Sequence, residues 1–123
     1  RSYRSDRGKS THGFYGKETL MLAHTVIFWL KDSLSHDQRN SFREGLESLK
    51  GIPHAKTICT GAPAGTGDRP IIDKTYSFGL TVLFDSMEDH DKYQVHPLHQ
   101  AFLKKFVSLC SKITVFDFEG AGS

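Results

Sequence analysis

The chain has 123 residues, which suits one domain and is too short for two. Its net charge of +2 is unevenly spread: residues 1–20 hold five basic and two acidic side chains, so they carry +3 and leave the remainder at −1. The folded part therefore has no basic stripe, which argues against a nucleic-acid partner. The apolar runs are only a few residues long, so no segment is expected to span a membrane.

Hydrophobic residues make up 37% of the chain, and this small supply favours a domain that leaves one apolar face for a partner copy to cover. Cys59 and Cys110 are not in a C-x-x-C spacing and no secretory apolar stretch opens the chain. Two free thiols in a reducing cytoplasm are the expectation. Residues 1–20, rich in Gly, Ser, Arg and Lys, read as a disordered basic extension, most simply an appended segment or a mis-assigned start. The domain is expected over 21–119, with 120–123 as a short tail, and Met21 suits a native start.

Leu22–Lys31 reads as a strand with two apolar faces, His24/Val26/Phe28/Leu30 and Ala23/Thr25/Ile27/Trp29, so both sides are expected to be covered, with Trp29 beneath helices. Ser35-His-Asp-Gln38 is a capping-box pattern that opens a helix. Phe42, Leu46 and Leu49 form its apolar stripe, and Gly51 and Pro53 stop it. Ala55–Ala62 suits a second strand, with Cys59 as a small core residue. Residues 63–74 form a long Gly/Pro/Asp-rich loop, and Gly61, Gly65 and Gly67 lack the G-K-[ST] of a phosphate loop.

A third strand spans Thr75–Phe84, and Asp85 or Ser86 caps a short helix running through Tyr93. Pro97 opens the next helix, whose stripe is Leu98, Phe102, Phe106 and Leu109. Ile113–Phe118 is the last strand. The order β-α-β-β-α-α-β is an α+β, ferredoxin-like split βαβ pattern with a broken second helix. Its four-stranded antiparallel sheet has helices on one face. The other face, lined by Phe28, Leu80 and Val82 or by their neighbours, would be a large bare apolar patch unless two sheets pack into a barrel across a two-fold axis.

The most informative stretch is Tyr93-Gln-Val-His96-Pro97-Leu-His99. His96 falls at an N-cap and His99 in the first helical turn, where the macrodipole disfavours the imidazolium. A neutral His99 can accept a proton, and the Tyr93 phenol can orient it or donate to a developing oxyanion. The competing reading makes His96 a turn residue and Tyr93 a packed helix end.

These residues resemble the stress-responsive A/B barrel (Dabb) domain, a branch of the dimeric α+β barrel superfamily. The resemblance rests on the opening strand His24-Thr-Val-Ile-Phe-Trp-Leu-Lys31, the turn Phe84-Asp-Ser86, Tyr-x-x-His-Pro-x-His at 93–99, and the closing Val115-Phe-Asp117-Phe. It covers about residues 21–119 and implies a homodimer. Where a member of the family is a polyketide cyclase, the second His of the motif is the base and the Tyr supports it, which places those roles on His99 and Tyr93 and a pocket position on His24. The cyclase's third-strand His and first-helix Tyr are replaced by Phe78 and Leu46, so a more apolar pocket is expected.

The expected ligand-lining set is His24, Val26, Phe28, Leu46, Phe78, Leu80 and His96. Three functions are compatible with it: a dimer holding a small hydrophobic ligand without catalysis, a lyase, cyclase or isomerase acting on a carbonyl compound through His99 and Tyr93, and a haem- or oxygen-dependent monooxygenase. The first leads because the polar groups are few. No metal or cofactor is expected, since His24, His96 and His99 lack ligand spacing. His36, His54 and His90 are assigned no role.

Overall fold

The computed structural model describes residues 20–122. Leu20, expected in the basic extension, already belongs to the first strand, while residues 1–19 of that extension lie outside the described residues. Within them, β1 (Leu20–Leu30) leads to helix α1 (His36–Ser48), then β2 (Thr57–Gly61), β3 (Phe78–Phe84), α2 (Met87–Val95), α3 (Pro97–Phe106) and β4 (Cys110–Ala121). Short 3-10 turns, Leu49–Gly51 and Val107–Leu109, continue α1 and α3. The sheet order is β2-β3-β1-β4, with every neighbouring pair antiparallel. This is the expected ferredoxin-like arrangement.

Local chemistry places the helix ends. Ser35 accepts from the Gln38 backbone N–H at 3.1 Å while its own N–H donates to Gln38 Oε1 at 2.8 Å, a complete capping box. Ser86 caps α2. His96 ends α2 and opens α3: its extended backbone breaks the helix, its Nδ1 accepts from Leu98 N–H at 3.1 Å, and Pro97 follows at the first helical position.

The helices cover the face of β1 that bears His24, Val26, Phe28 and Leu30, all buried. Phe42 organises the core. It is fully buried and packs its ring against Phe28, Phe78, Phe102 and Phe106 at 5.2–5.6 Å.

The opposite face decides between two alternatives and corrects one expectation. Phe28, Leu80 and Val82 point to the helices, and it is their neighbours that line the open side. Trp29 is likewise not beneath helices. Its Nε1–H donates to Thr75 Oγ1 at 2.9 Å, and Lys112 Nζ sits 4.6 Å from its ring centre. The reason is register: strict alternation puts Trp29, Ile27 and Thr25 together on one face, opposite Lys112, Thr114 and Phe116 of β4. On this side Phe116 is 57% and Phe118 62% exposed. Cys59 is exposed there rather than held in a core. β4 also runs to Ala121, beyond the expected end of the domain.

Candidate functional site

β1 carries His24, Val26 and Phe28 on its helix-side face. Across the ladders, Leu80 of β3 lies opposite Val26, and Ile113, Val115 and Asp117 of β4 lie opposite Phe28, Val26 and His24. α3 spans this floor and turns His99, Phe102 and Phe106 inward. Between sheet and helix remains a cavity of about 180 Å³, bordered by His24, Val26, Phe28, Leu80, Gln94, His99 and Phe102, with Leu49, Leu103, Val107, Ile113 and Val115 completing it. Only His24, Gln94 and His99 are polar. Towards β4 the rim is apolar and exposed, through Leu103, Val107, Ile113 and Val115.

The structure brings some of the expected residues together and separates others. His24, Val26, Phe28, Leu80 and His99 border one cavity. Leu46 and Phe78 belong to the core beside it: Leu46 is 1% exposed, and Phe78 stacks on Phe42 at 5.6 Å. His96 is occupied as the α3 cap, with its ring against His54 at 6.1 Å.

Tyr93 is fully buried directly behind His99, with ring centres 4.9 Å apart and planes tilted by 59°. The two pack ring on ring. They are not hydrogen-bonded to each other: Tyr93 Oη and His99 Nδ1 are both buried and meet no partner in hydrogen-bonding geometry. Such atoms are costly, since each has lost water without gaining a replacement.

The electrostatics follow from burial. Desolvation pushes the His99 imidazole below its ordinary range, the adjacent His24 ring adds to this, and the nearby Gln94 backbone works weakly against it without forming a hydrogen bond in good geometry. The direction is that of a neutral imidazole, and burial is its largest cause. Burial also pushes the Tyr93 phenol up to about 12. Both side chains are thus uncharged near neutral pH.

Two residues without an expected role join the site. Asp117 Oδ1 accepts from His24 Nδ1–H at 2.6 Å, with the His24 side chain 6% and the Asp117 side chain 45% exposed. His90 packs its ring edge-on to His24 at 5.3 Å and against Phe84 at 5.5 Å. The only sequence signal for Asp117 was its place in the closing Phe-Asp pattern; for His90 there was none. Among the described residues, His24, His90 and Asp117 are also the group of donors close enough to hold a metal ion. His24, His96 and His99 do not form such a group.

With this geometry in place, comparison with known proteins is informative. Residues 22–120 match the stress responsive A/B barrel domain, Dabb. Olivetolic acid cyclase of Cannabis sativa is 24% identical over 100 residues, which cover 80% of this chain and 96% of that protein. A dimeric ferredoxin-like protein of unknown function from Bacteroides fragilis is 28% identical with a TM-score of 0.64, covering 81% of this chain and 96% of the other. Hydroxynitrile lyase from Passiflora edulis shares the fold at a TM-score of 0.68 and 24% identity, covering 84% and 95%. Sequence match, strand order and helix placement agree, and the chain belongs to the stress responsive A/B barrel (Dabb) domain family.

Proposed function

We propose that the chain works as a homodimer in which each protomer holds a small, largely apolar ligand in the cavity beneath α3. The observation that carries this reading is the cavity: about 180 Å³, mostly apolar walls, and two imidazoles at its polar end. An apolar cavity of roughly 150 Å³ takes up benzene, so this one suits a single aromatic ring or a short chain with one polar group. Dimerisation is supported by the exposed Phe116 and Phe118 on the open sheet face and by the dimeric Bacteroides fragilis relative.

Calorimetric titration of the full chain with benzaldehyde and with phenol tests the ligand. One saturable site per protomer, lost in Val26→Trp, is expected. Binding unchanged by that substitution would place the ligand elsewhere.

One observation favours a second reading, acid–base catalysis on a carbonyl compound. A neutral His99 with a buried, partnerless nitrogen borders the cavity, and Tyr93 lies behind it with an unpaired hydroxyl. Unsatisfied groups of this kind are kept where a reacting molecule supplies the missing partner. The sequence relative named a cyclase fits this reading. In it, His99 takes the proton from the carbon beside a carbonyl, or from the hydroxyl of a cyanohydrin whose C–C bond to cyanide then breaks, and returns it to the product or to the departing cyanide, while the apolar walls exclude water. Release of benzaldehyde from mandelonitrile is one assay. His99→Ala should abolish turnover and leave ligand binding intact, and activity that survived the change would remove His99 as the base.

A further inference from the structure

We propose that His24, His90 and Asp117 bind a divalent transition-metal ion at the end of the sheet where β1, β4 and α2 meet. The site shares His24 with the cavity but does not depend on an organic ligand being bound there.

The three residues come from three elements. Asp117 lies directly opposite His24 across the β1–β4 ladder, and His90 reaches over from α2. One donor atom from each falls within 4.8 Å of the others. Bonds of about 2.1 Å in a tetrahedral site set donors about 3.4 Å apart. Side-chain rotations of roughly an ångström would therefore gather these three, with the 2.6 Å His24–Asp117 contact opening slightly. Two imidazoles on one such ion place their ring centres about 5 Å apart; those of His24 and His90 are separated by 5.3 Å, edge to face.

The surroundings are also those of a ligating histidine. His90 Nδ1–H donates to Asp91 Oδ1 at 3.0 Å, which leaves its Nε2 as the lone-pair nitrogen, now accepting from Gln94 Nε2 at 3.1 Å. A carboxylate behind the far ring nitrogen is the usual partner that orients a metal-bound imidazole. An ion would take the place of the Gln94 amide. Any proton on the donating His24 nitrogen would pass to solvent. Asp117 and Asp91 balance a 2+ charge. Two imidazoles and one carboxylate suit Zn²⁺, Co²⁺, Ni²⁺ or Fe²⁺, not the all-oxygen preference of Mg²⁺ or Ca²⁺, and they leave coordination positions for water.

The test titrates the full, EDTA-stripped and tag-free chain with Zn²⁺ alone. One ion per chain is expected, with a melting temperature about 10–20 °C higher at a hundredfold excess over Kd. His90→Gln and Asp117→Asn should each weaken binding about 100-fold or more, while His36→Gln and His54→Gln leave it within threefold. Circular dichroism of each metal-free variant checks that it is folded. Should a variant fail that check, the native chain decides through Co²⁺, whose visible absorption must intensify over that of the aqueous ion. No stoichiometric binding, equal affinity in folded His90→Gln and Asp117→Asn, or an unchanged Co²⁺ spectrum would each overturn the proposal.

Discussion

Tyr93→Phe separates a cost to folding from a gain in function. The Tyr93 side chain is fully buried and its hydroxyl meets no hydrogen-bond partner. A buried hydroxyl left in that state costs about 1–3 kcal/mol. Removing one oxygen leaves a void of roughly 10–15 Å³, which costs only about 0.3 kcal/mol. The variant should therefore be more stable by about 1 kcal/mol, or about 4–8 °C in melting temperature for a domain of this size. Urea denaturation at pH 7 and matched protein concentration measures this, with an unchanged slope showing that the same surface is exposed. Alkaline pH supplies an internal check. The phenol is raised from 10.0 to about 12 in the folded chain, so its contribution is present below pH 10 and is lost as pH rises towards 12. Tyr93→Phe should lack that loss. A variant destabilised by more than 1 kcal/mol would show that the hydroxyl makes a stabilising bond in solution, and the account of this site would fail.

Other perturbations probe the same framework. The His99 pKa is depressed from 6.5, so the unfolded chain takes up the proton first: stability should be unaffected above pH 6.5 and fall as pH drops towards the depressed value. His99→Gln should flatten that fall between pH 7 and 5, and an identical pH profile in melting curves would contradict the burial argument. Gly45→Ala drives a methyl group into the Phe106 ring, which is already held by Phe42 and Phe102. A destabilisation of about 2 kcal/mol is expected by denaturant titration. Phe116→Glu puts a charge on the open sheet face and should shift light scattering from dimer to monomer at micromolar concentration, whereas an unchanged dimer would place the interface elsewhere.

The fold was legible in the sequence because its signals are local. The Ser35 capping box, Pro97 after an N-cap His96, and period-two strands fix the element order, and that order leaves few topologies. Which face of β1 meets the helices was not legible. Its two faces, Val26/Phe28/Leu30 and Ala23/Ile27/Trp29, are both apolar, so hydrophobicity cannot choose between them. The choice depends on three aromatic rings from other elements, Phe42, Phe102 and Phe106, closing on Phe28 and one another. The candidate site divides in the same way. Tyr93 and His99 stand six residues apart across a helix break, and their proximity could be read from spacing. Asp117 and His90 reach His24 only through the β1–β4 register and the rotation of α2, which no short motif encodes. Proximity in sequence brought the Tyr93 and His99 rings into tilted contact but did not aim the hydroxyl at the imidazole.

The cavity beneath α3 as the ligand site is most directly tested by NMR of the full chain with labelled histidine rings during titration with benzaldehyde. The signals of His24 and His99, the two imidazoles that border the cavity, should move together and saturate with one ligand per protomer, while His36 and His54 stay in place. Saturable binding that leaves both His24 and His99 unmoved would contradict the account.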